Sequence, residues 1–338
     1  MQLLEHQPLL SLNTFGIEAD ARYYGEFASV EELLRLLDFK KTHDLPLLIL
    51  GGGSNLLLTK DFEGLVIRNR IKGIEITGAD SEHTYIRVGA GEVWHEFVTW
   101  CIEKGLAGLE NMSLIPGSVG AAPMQNIGAY GVELKEVFDS LEAIHIESGS
   151  MHRFTKEECK FGYRESIFKT SHKNQYVITA VHFKARNTAK LNTSYGAIED
   201  ELKRMNITVP NIKDVSEAVC NIRRSKLPDP KVTGNAGSFF KNPEVKKSVH
   251  DELKARYPEL VAYPLANGDM KLAAGWLIEQ SGWKGKSIGN AGVHAKQALV
   301  LVNLGGAKGN DILRLSLEVK ASVREKFGVE LETEVNII

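Results

Sequence analysis

Residues 115–131 constrain this chain more than any other stretch. They hold Gly117, Gly120, Gly128 and Gly131 together with Pro116 and Pro123. Proline removes a backbone donor and glycine weakens either regular element, so no single helix or strand spans the stretch. Irregular connections of this length are uncommon in compact domains unless they have a function. The surface they offer is apolar, small and nearly free of charge, which suits a flat aromatic ring system with backbone donors around it. The plainer alternative is a structural crossover.

Both kinds of periodicity surround it. Val30, Leu33, Leu34 and Leu37 share one face of a predicted helix over 30–41. After Pro46, Leu47-Leu48-Ile49-Leu50 reads as a buried strand running into Gly51-Gly52-Gly53-Ser54-Asn55. Tyr85-Ile86-Arg87-Val88 alternates like a strand, and Trp94, Phe97, Val98 and Cys101 follow the i, i+3, i+4, i+7 spacing of a helix with one buried face. Strands are expected near 141–146, 176–183 and 298–302. Lys226-Leu-Pro-Asp-Pro-Lys231 reads as a hinge, 234–237 as a second glycine loop and 271–280 as a helix. Asp311 is placed to cap a long helix with Ile312, Leu315, Val319 and Val323 inward, and 329–338 alternates like a strand. Strands and helices interleave without a repeat, so the expected class is α+β.

Charge and composition narrow the function. The 41 basic and 43 acidic side chains leave a net charge of -2, with no electrostatic footprint for nucleic acid. A local basic pocket for a small anion remains open. No apolar run reaches membrane-helix length, and the start lacks a basic segment followed by a long apolar stretch. Cys101, Cys159 and Cys220 lie far apart, which favours a reducing compartment. No Cys/Cys or His/His spacing suggests zinc, and His95-Glu96 reads as helix surface.

Four further stretches carry candidate chemistry. The backbone N–H groups of Gly51, Gly52 and Gly53, with donors from Ser54 and Asn55, suit a phosphate or pyrophosphate; a tight turn explains the same residues. They form neither a P-loop nor a dinucleotide fingerprint. Arg164 in Phe161-Gly-Tyr-Arg164 offers a fork for a carboxylate or phosphate, against the alternative of a surface ion pair with Glu165. Ser238 in Gly234-Asn-Ala-Gly-Ser-Phe-Phe-Lys-Asn-Pro243 is a hydroxyl in a glycine turn, outside the hydrolase nucleophile motif. It serves either as a proton donor or merely as a bond to its own loop. Glu332 and Glu334 share one face of the terminal strand and read either as a site or as two solvated charges.

In order along the chain these motifs resemble the UDP-N-acetylenolpyruvoylglucosamine reductase family, the MurB flavoproteins. The resemblance rests on Asn13-Thr-Phe-Gly16, the 51–55 loop, Gly89-Ala-Gly91, Gly108-Leu-Glu-Asn111, Ile115-Pro-Gly117 and Gln125-Asn-Ile-Gly-Ala-Tyr-Gly131. It continues through Phe161-Gly-Tyr-Arg164, Lys226-Leu-Pro-Asp-Pro230, Gly237-Ser-Phe-Phe-Lys-Asn242 and Lys271-Leu-Ala-Ala-Gly-Trp276, covering nearly the whole chain. Asn192-Thr-Ser-Tyr195-Gly196 looks like the tyrosine loop of the family's longer subtype.

The resemblance implies an FAD-binding domain of the vanillyl-alcohol-oxidase (PCMH) type in two subdomains, 1–72 and 73–222, with a C-terminal α+β substrate domain, 223–334. The end, 335–338, would return to the first subdomain. It implies non-covalent FAD and NADPH as co-substrate, reducing an enolpyruvyl UDP-sugar to UDP-N-acetylmuramate for peptidoglycan. Ser238, Glu334 and Arg164 become the expected catalytic residues. FAD would be held by Gly51, Gly52, Gly53, Ser54, Asn55, Ile115, Pro116, Gly117, Gly120, Gln125, Asn126, Gly128, Ala129, Tyr130 and Gly131. Substrate contacts would come from Tyr163, Tyr195, Arg223, Lys226, Asn242 and Gln297, with no metal. A cytoplasmic monomer acting on small molecules, with no nucleic-acid or membrane partner, completes the expectation. The rivals are another FAD-dependent oxidoreductase of the same fold and a non-catalytic nucleotide-binding protein.

Overall fold

The computed structural model describes residues 2–338 in two compact units. The first runs up to Gln7 and takes in 21–52 and 62–225; the second combines 8–20, 53–61 and 226–338.

The first unit holds two sheets. One orders its strands Leu3–Pro8, Asp20–Phe27, Phe62–Asn69 and Leu47–Leu50, the last three parallel. Parallel strands need a crossover, and the helix Val30–Thr42 supplies it. Ser29 Oγ caps that helix by accepting from the Glu32 N–H at 3.2 Å, and Leu33, Leu36 and Leu37 are buried. The second sheet is antiparallel, in the order Met151–Thr155, Phe138–His145, Tyr176–Arg186, His83–Gly89, Ile74–Ala79. The helix Trp94–Glu103 lays Trp94, Phe97, Val98 and Cys101 into one core with Leu141, Val181 and Phe183. The Trp94 indole N–H is satisfied by the Met112 carbonyl at 3.0 Å. A smaller core joins Ile198 and Leu202 of the helix Gly196–Arg204 to Val215, Ala218, Val219 and Ile222 of the helix Ile212–Lys226.

The second unit is built on the antiparallel order Gly234–Ser238, Val300–Asn303, Ala291–Val293, Ser287–Ile288, together with the helix Gly309–Phe327. A three-stranded sheet, Glu244–Val245, Met270–Leu272, Ala262–Pro264, lies beside the sequence of the short helix Ala274–Gln280.

Four expectations need correction here. Residues 234–237 are not a loop: Gly234 and Asn235 pair with Asn303 and Val302, so they belong to a strand. The stretch 271–280 is not all helix, because Met270–Leu272 is drawn into the three-stranded sheet before the chain turns helical at Ala274. Asp311 is not the cap position; from inside the first turn its carboxylate accepts the Lys308 N–H at 2.9 Å. The end is a strand only at Asn336–Ile337, which pairs in parallel with Leu56–Leu57. The three cysteines are free and buried. Among the described residues no helix is long and apolar enough to cross a membrane, and no cluster of His, Cys, Asp and Glu could hold a metal.

Candidate active site

In the first unit the strand Leu47–Leu50 delivers Gly51 and Gly52 onto the segment 115–131. A Cβ on Gly52 would lie 2.8 Å from Gly117 Cα, and one on Gly51 would lie 2.4 Å from Ser118 Oγ. Backbone cannot yield as a side-chain tip does, so Gly52 is there for the close approach. The segment is pinned from behind: the Gly117 carbonyl accepts the Trp94 N–H at 3.0 Å, and the Gly120 N–H donates to Ala90 at 2.9 Å. Ile115, Gly117, Gly120, Gln125, Gly128, Ala129 and Tyr130 remain half-buried, and Pro116 and Gly131 are exposed. The Gln125 amide oxygen accepts the Lys169 ammonium at 3.1 Å.

Backbone strain gathers in the same place. Leu114, Asn126, Tyr130 and Arg164 all have left-handed φ, at 59°, 44°, 49° and 53°. Each departure costs about 1–2 kcal/mol for a residue with a Cβ, and such strain collects at functional sites. Asn126 is fully buried, and its side chain is committed to its surroundings. It donates to Glu133 Oε2 at 3.1 Å and the Gly162 carbonyl at 3.0 Å, and accepts the Lys135 N–H at 3.0 Å. Tyr130 and Gly131, both at positive φ, form the two-residue turn between Gly128–Ala129 and Val132–Glu133.

Arg164 sits at the tip of a tight turn closed by the Gly162 N–H on the Glu165 carbonyl at 3.0 Å. Its Nη2 donates to the Gly128 carbonyl at 2.8 Å, and its guanidinium lies 5.5 Å from the Tyr163 ring centre. Tyr195, exposed, precedes the helix Gly196–Arg204 and meets the Tyr130 ring edge-on at 5.4 Å. Arg223 donates through Nε to the Leu114 carbonyl at 3.2 Å. Burial pushes its guanidinium below the usual value, opposed by the Tyr130 hydroxyl it meets. Burial likewise pushes the Tyr130 phenol up, and Arg223 counters it.

His95 is a correction. Rather than plain helix surface, it is half-buried, and its Nδ1 accepts the strained Leu114 N–H at 3.0 Å. Burial, then Arg224 and Arg223, lowers its pKa, consistent with a neutral accepting ring. Helix periodicity gave no hint of this, because its partner lies 19 residues on.

In the second unit a β-bulge presents Ser238. The ladder slips between Asn235 and Ser238, with Gly237 at φ 71° and its N–H on Asn235 Oδ1 at 3.0 Å. A Cβ on Gly237 would meet nothing, so here the backbone angle alone asks for glycine. Phe239 and Phe240 follow, fully buried. The Phe239 carbonyl accepts the Glu334 N–H at 2.8 Å, and Phe240 bridges Thr333, which places Glu334 beside the backbone that follows Ser238. Asn55 closes the group: its Nδ2 donates to the Glu334 carbonyl at 3.4 Å, and its own carbonyl accepts the Asn336 N–H at 3.1 Å. Gly53, at φ 64°, packs on the Leu12 carbonyl, and Ser54 lies between it and Asn55. Asn242 Oδ1 accepts the Ala274 N–H at 2.9 Å, and Gln297 Oε1 accepts the Leu299 N–H at 3.4 Å. Glu332 is solvated and pairs with Lys241 at 3.1 Å, so the two terminal glutamates differ. Lys226, exposed, ends the helix Ile212–Lys226.

A strained, glycine-lined surface in the first unit and a Ser/Glu/Asn group in the second suit a flavoprotein oxidoreductase. Residues 21–155 match the FAD binding domain family model, and 229–338 match that of the UDP-N-acetylenolpyruvoylglucosamine reductase C-terminal domain. UDP-N-acetylenolpyruvoylglucosamine reductases of Amoebophilus asiaticus and Pseudomonas aeruginosa are 53% and 49% identical to it. The first covers 100% of both chains, the second 100% of this chain and 99% of its own. The crystal structure of the same reductase from Thermus caldophilus aligns with TM-score 0.68 at 26% identity, over 99% of this chain and 98% of its own. The chain belongs to the UDP-N-acetylenolpyruvoylglucosamine reductase family.

Proposed function

We propose that this protein carries out the NADPH-dependent, FAD-mediated reduction of the enolpyruvyl double bond of a UDP-sugar to UDP-N-acetylmuramate, for peptidoglycan synthesis. The observation that carries it is the shared presence, in one chain of this family, of the FAD-binding region and of Ser238 in a bulged strand whose next residue, Phe239, accepts the Glu334 N–H. FAD, when bound, would supply the two-electron relay between NADPH and the double bond. We assign its contacts to Gly51 through Asn55 and to the half-buried face of 115–131, where small residues and backbone fit a planar ring.

Reduction leaves negative charge on the carbon next to the substrate carboxylate, and fixed charge must stabilise it. Arg164, always protonated, supplies that charge. The Ser238 hydroxyl delivers the proton to that carbon, and Glu334 assists by hydrogen bonding. Tyr163, Tyr195, Arg223, Lys226, Asn242 and Gln297 hold the substrate. We keep 1–72, 73–222 and 223–334, with 335–338 returning to the first, as the functional division of the chain. We read the enzyme as a monomer, and as cytoplasmic because its three buried thiols are unpaired.

The test is direct. Purified protein should be yellow, release FAD on denaturation, and turn over NADPH beyond one equivalent per flavin only when the enolpyruvyl UDP-sugar is present. Folded, colourless protein that cannot take up FAD would sink the reading.

A further inference from the structure

One side-chain amide in the first unit holds two loops together. Asn111 Nδ2 donates to the Tyr130 carbonyl at 3.0 Å and to the Asn192 carbonyl at 2.8 Å. The first carbonyl belongs to the turn of the Gly128–Ala129 hairpin, the second to the loop that leads into Tyr195. Asn111 is itself enclosed. It is 1% exposed, in the short helical turn Glu110–Met112, between the buried Glu110 carboxylate that accepts the Gly108 N–H at 2.7 Å and the Met112 carbonyl bonded to Trp94. The loop answers with its own bond, Asn192 Nδ2 to the Gly131 carbonyl at 3.3 Å, and Asn192 Oδ1 accepts the Ser194 hydroxyl at 2.9 Å.

Packing continues what these bonds begin. The Tyr130 and Tyr195 rings meet at 87°, and Tyr130 also rests on the small core of the helix that Tyr195 opens. A primary amide presents two N–H groups from one atom, so it can tie two carbonyls that would otherwise repel each other. No shorter polar side chain does both.

We propose that Asn111 is a positioning residue for the reaction, whose amide clasps the tyrosine loop to the Tyr130–Gly131 turn and so holds Tyr195 where the UDP-sugar is bound. This rests on the reading of Tyr195 as a substrate ligand. The clasp preorganises the loop, so that substrate does not have to order it on binding.

Steady-state kinetics of the flavin-loaded enzyme at saturating NADPH test it. Asn111→Ala should raise KM for the UDP-sugar about tenfold, equivalent to about 1.4 kcal/mol. Turnover should stay within about twofold, as expected when uniform binding is lost. Tyr195→Ala should raise KM at least as much, and the double variant should be no worse than Tyr195→Ala alone, because both remove one device. Multiplying effects in the double variant, or an unchanged KM in Asn111→Ala beside a raised one in Tyr195→Ala, would overturn the clasp alone. An unchanged KM in Tyr195→Ala removes the tyrosine reading, and the clasp with it. Should Asn111→Ala fail to fold or retain flavin, the milder Asn111→Ser decides, because one hydroxyl can tie at most one of the two carbonyls: a rise of about threefold in KM supports the clasp, and no rise refutes it.

Discussion

Two glycine-rich stretches look alike in the sequence and behave differently in the structure. Residues 115–131 hold only a short helical turn, Val119–Gln125, and the two-residue strand Gly128–Ala129, and Gly52, which meets them, is required because backbone lies against backbone. Residues 234–238 form a strand, and Gly237 is required only for its backbone angle, with open space around it. The first arrangement makes a surface and the second aims one hydroxyl. Glycine therefore has two uses here, and their failures should differ: lost contact should cost cofactor and stability, whereas a lost angle should cost rate.

The largest effect is expected at the aimed hydroxyl. Ser238→Ala should leave flavin reduction by NADPH nearly intact but slow reoxidation by the UDP-sugar by ~10²–10⁴-fold, the usual worth of general acid catalysis. Stopped-flow traces with both halves slowed equally would remove the role of Ser238. Gly52→Ala comes next. Its methyl would press on Gly117 and cost about 1–3 kcal/mol as overpacking, with loss of bound flavin. Full visible absorbance and an unchanged melting temperature would show that the two backbones are not locked together. Gly237→Ala should cost about 1–2 kcal/mol for the left-handed angle and keep its flavin while turning over more slowly. If it loses flavin as Gly52→Ala does, the contrast between the stretches fails.

The smallest effects separate the ion pairs behind each stretch. Glu142, in the sheet behind the first, takes Arg87 at 2.7 Å and 3.1 Å and His182 at 2.7 Å. Arg87 does most to hold its carboxyl down, at about 2 against a usual 4.5, with burial opposing. A lowered folded value means stability present above pH 4.5 and lost as pH falls towards 2. Glu142→Gln should therefore cost about 1 kcal/mol at neutral pH after solvent screening, a gap that closes in acid melts. A gap independent of pH would point to packing instead. Lys241→Ala, breaking the exposed pair with Glu332, should change stability by less than about 0.5 kcal/mol in the same melts.

Periodicity made the long elements legible. The helices Val30–Thr42 and Trp94–Glu103 lie where apolar spacing put them, because each buries a stripe, and the strand Leu47–Leu50 lies where its apolar run put it, although only Leu50 is buried and the other three are half-buried. The composition of 115–131 was enough to exclude a single regular element across it. It was not enough to show that Asn126 is spent inside the fold, or that Gly234 and Asn235 are strand: both depend on partners far along the chain. His95 and Asn111 carried no local signal for the same reason. Their partners, Leu114 and Asn192, are set by loop conformation rather than by spacing.

By itself the sequence determined the α+β class, the family and the flavin, because motif order and apolar period are local properties of the chain. The tertiary structure alone decided that Glu334 and Asn55 stand beside the backbone next to Ser238, and that segments 8–20 and 53–61 join the C-terminal body. Asn55 and Glu334 are 279 residues apart, and Phe15 and Asn303 288. Long-range hydrogen bonds depend on how the packed elements bring distant carbonyls and amides together, which no window of neighbouring residues records.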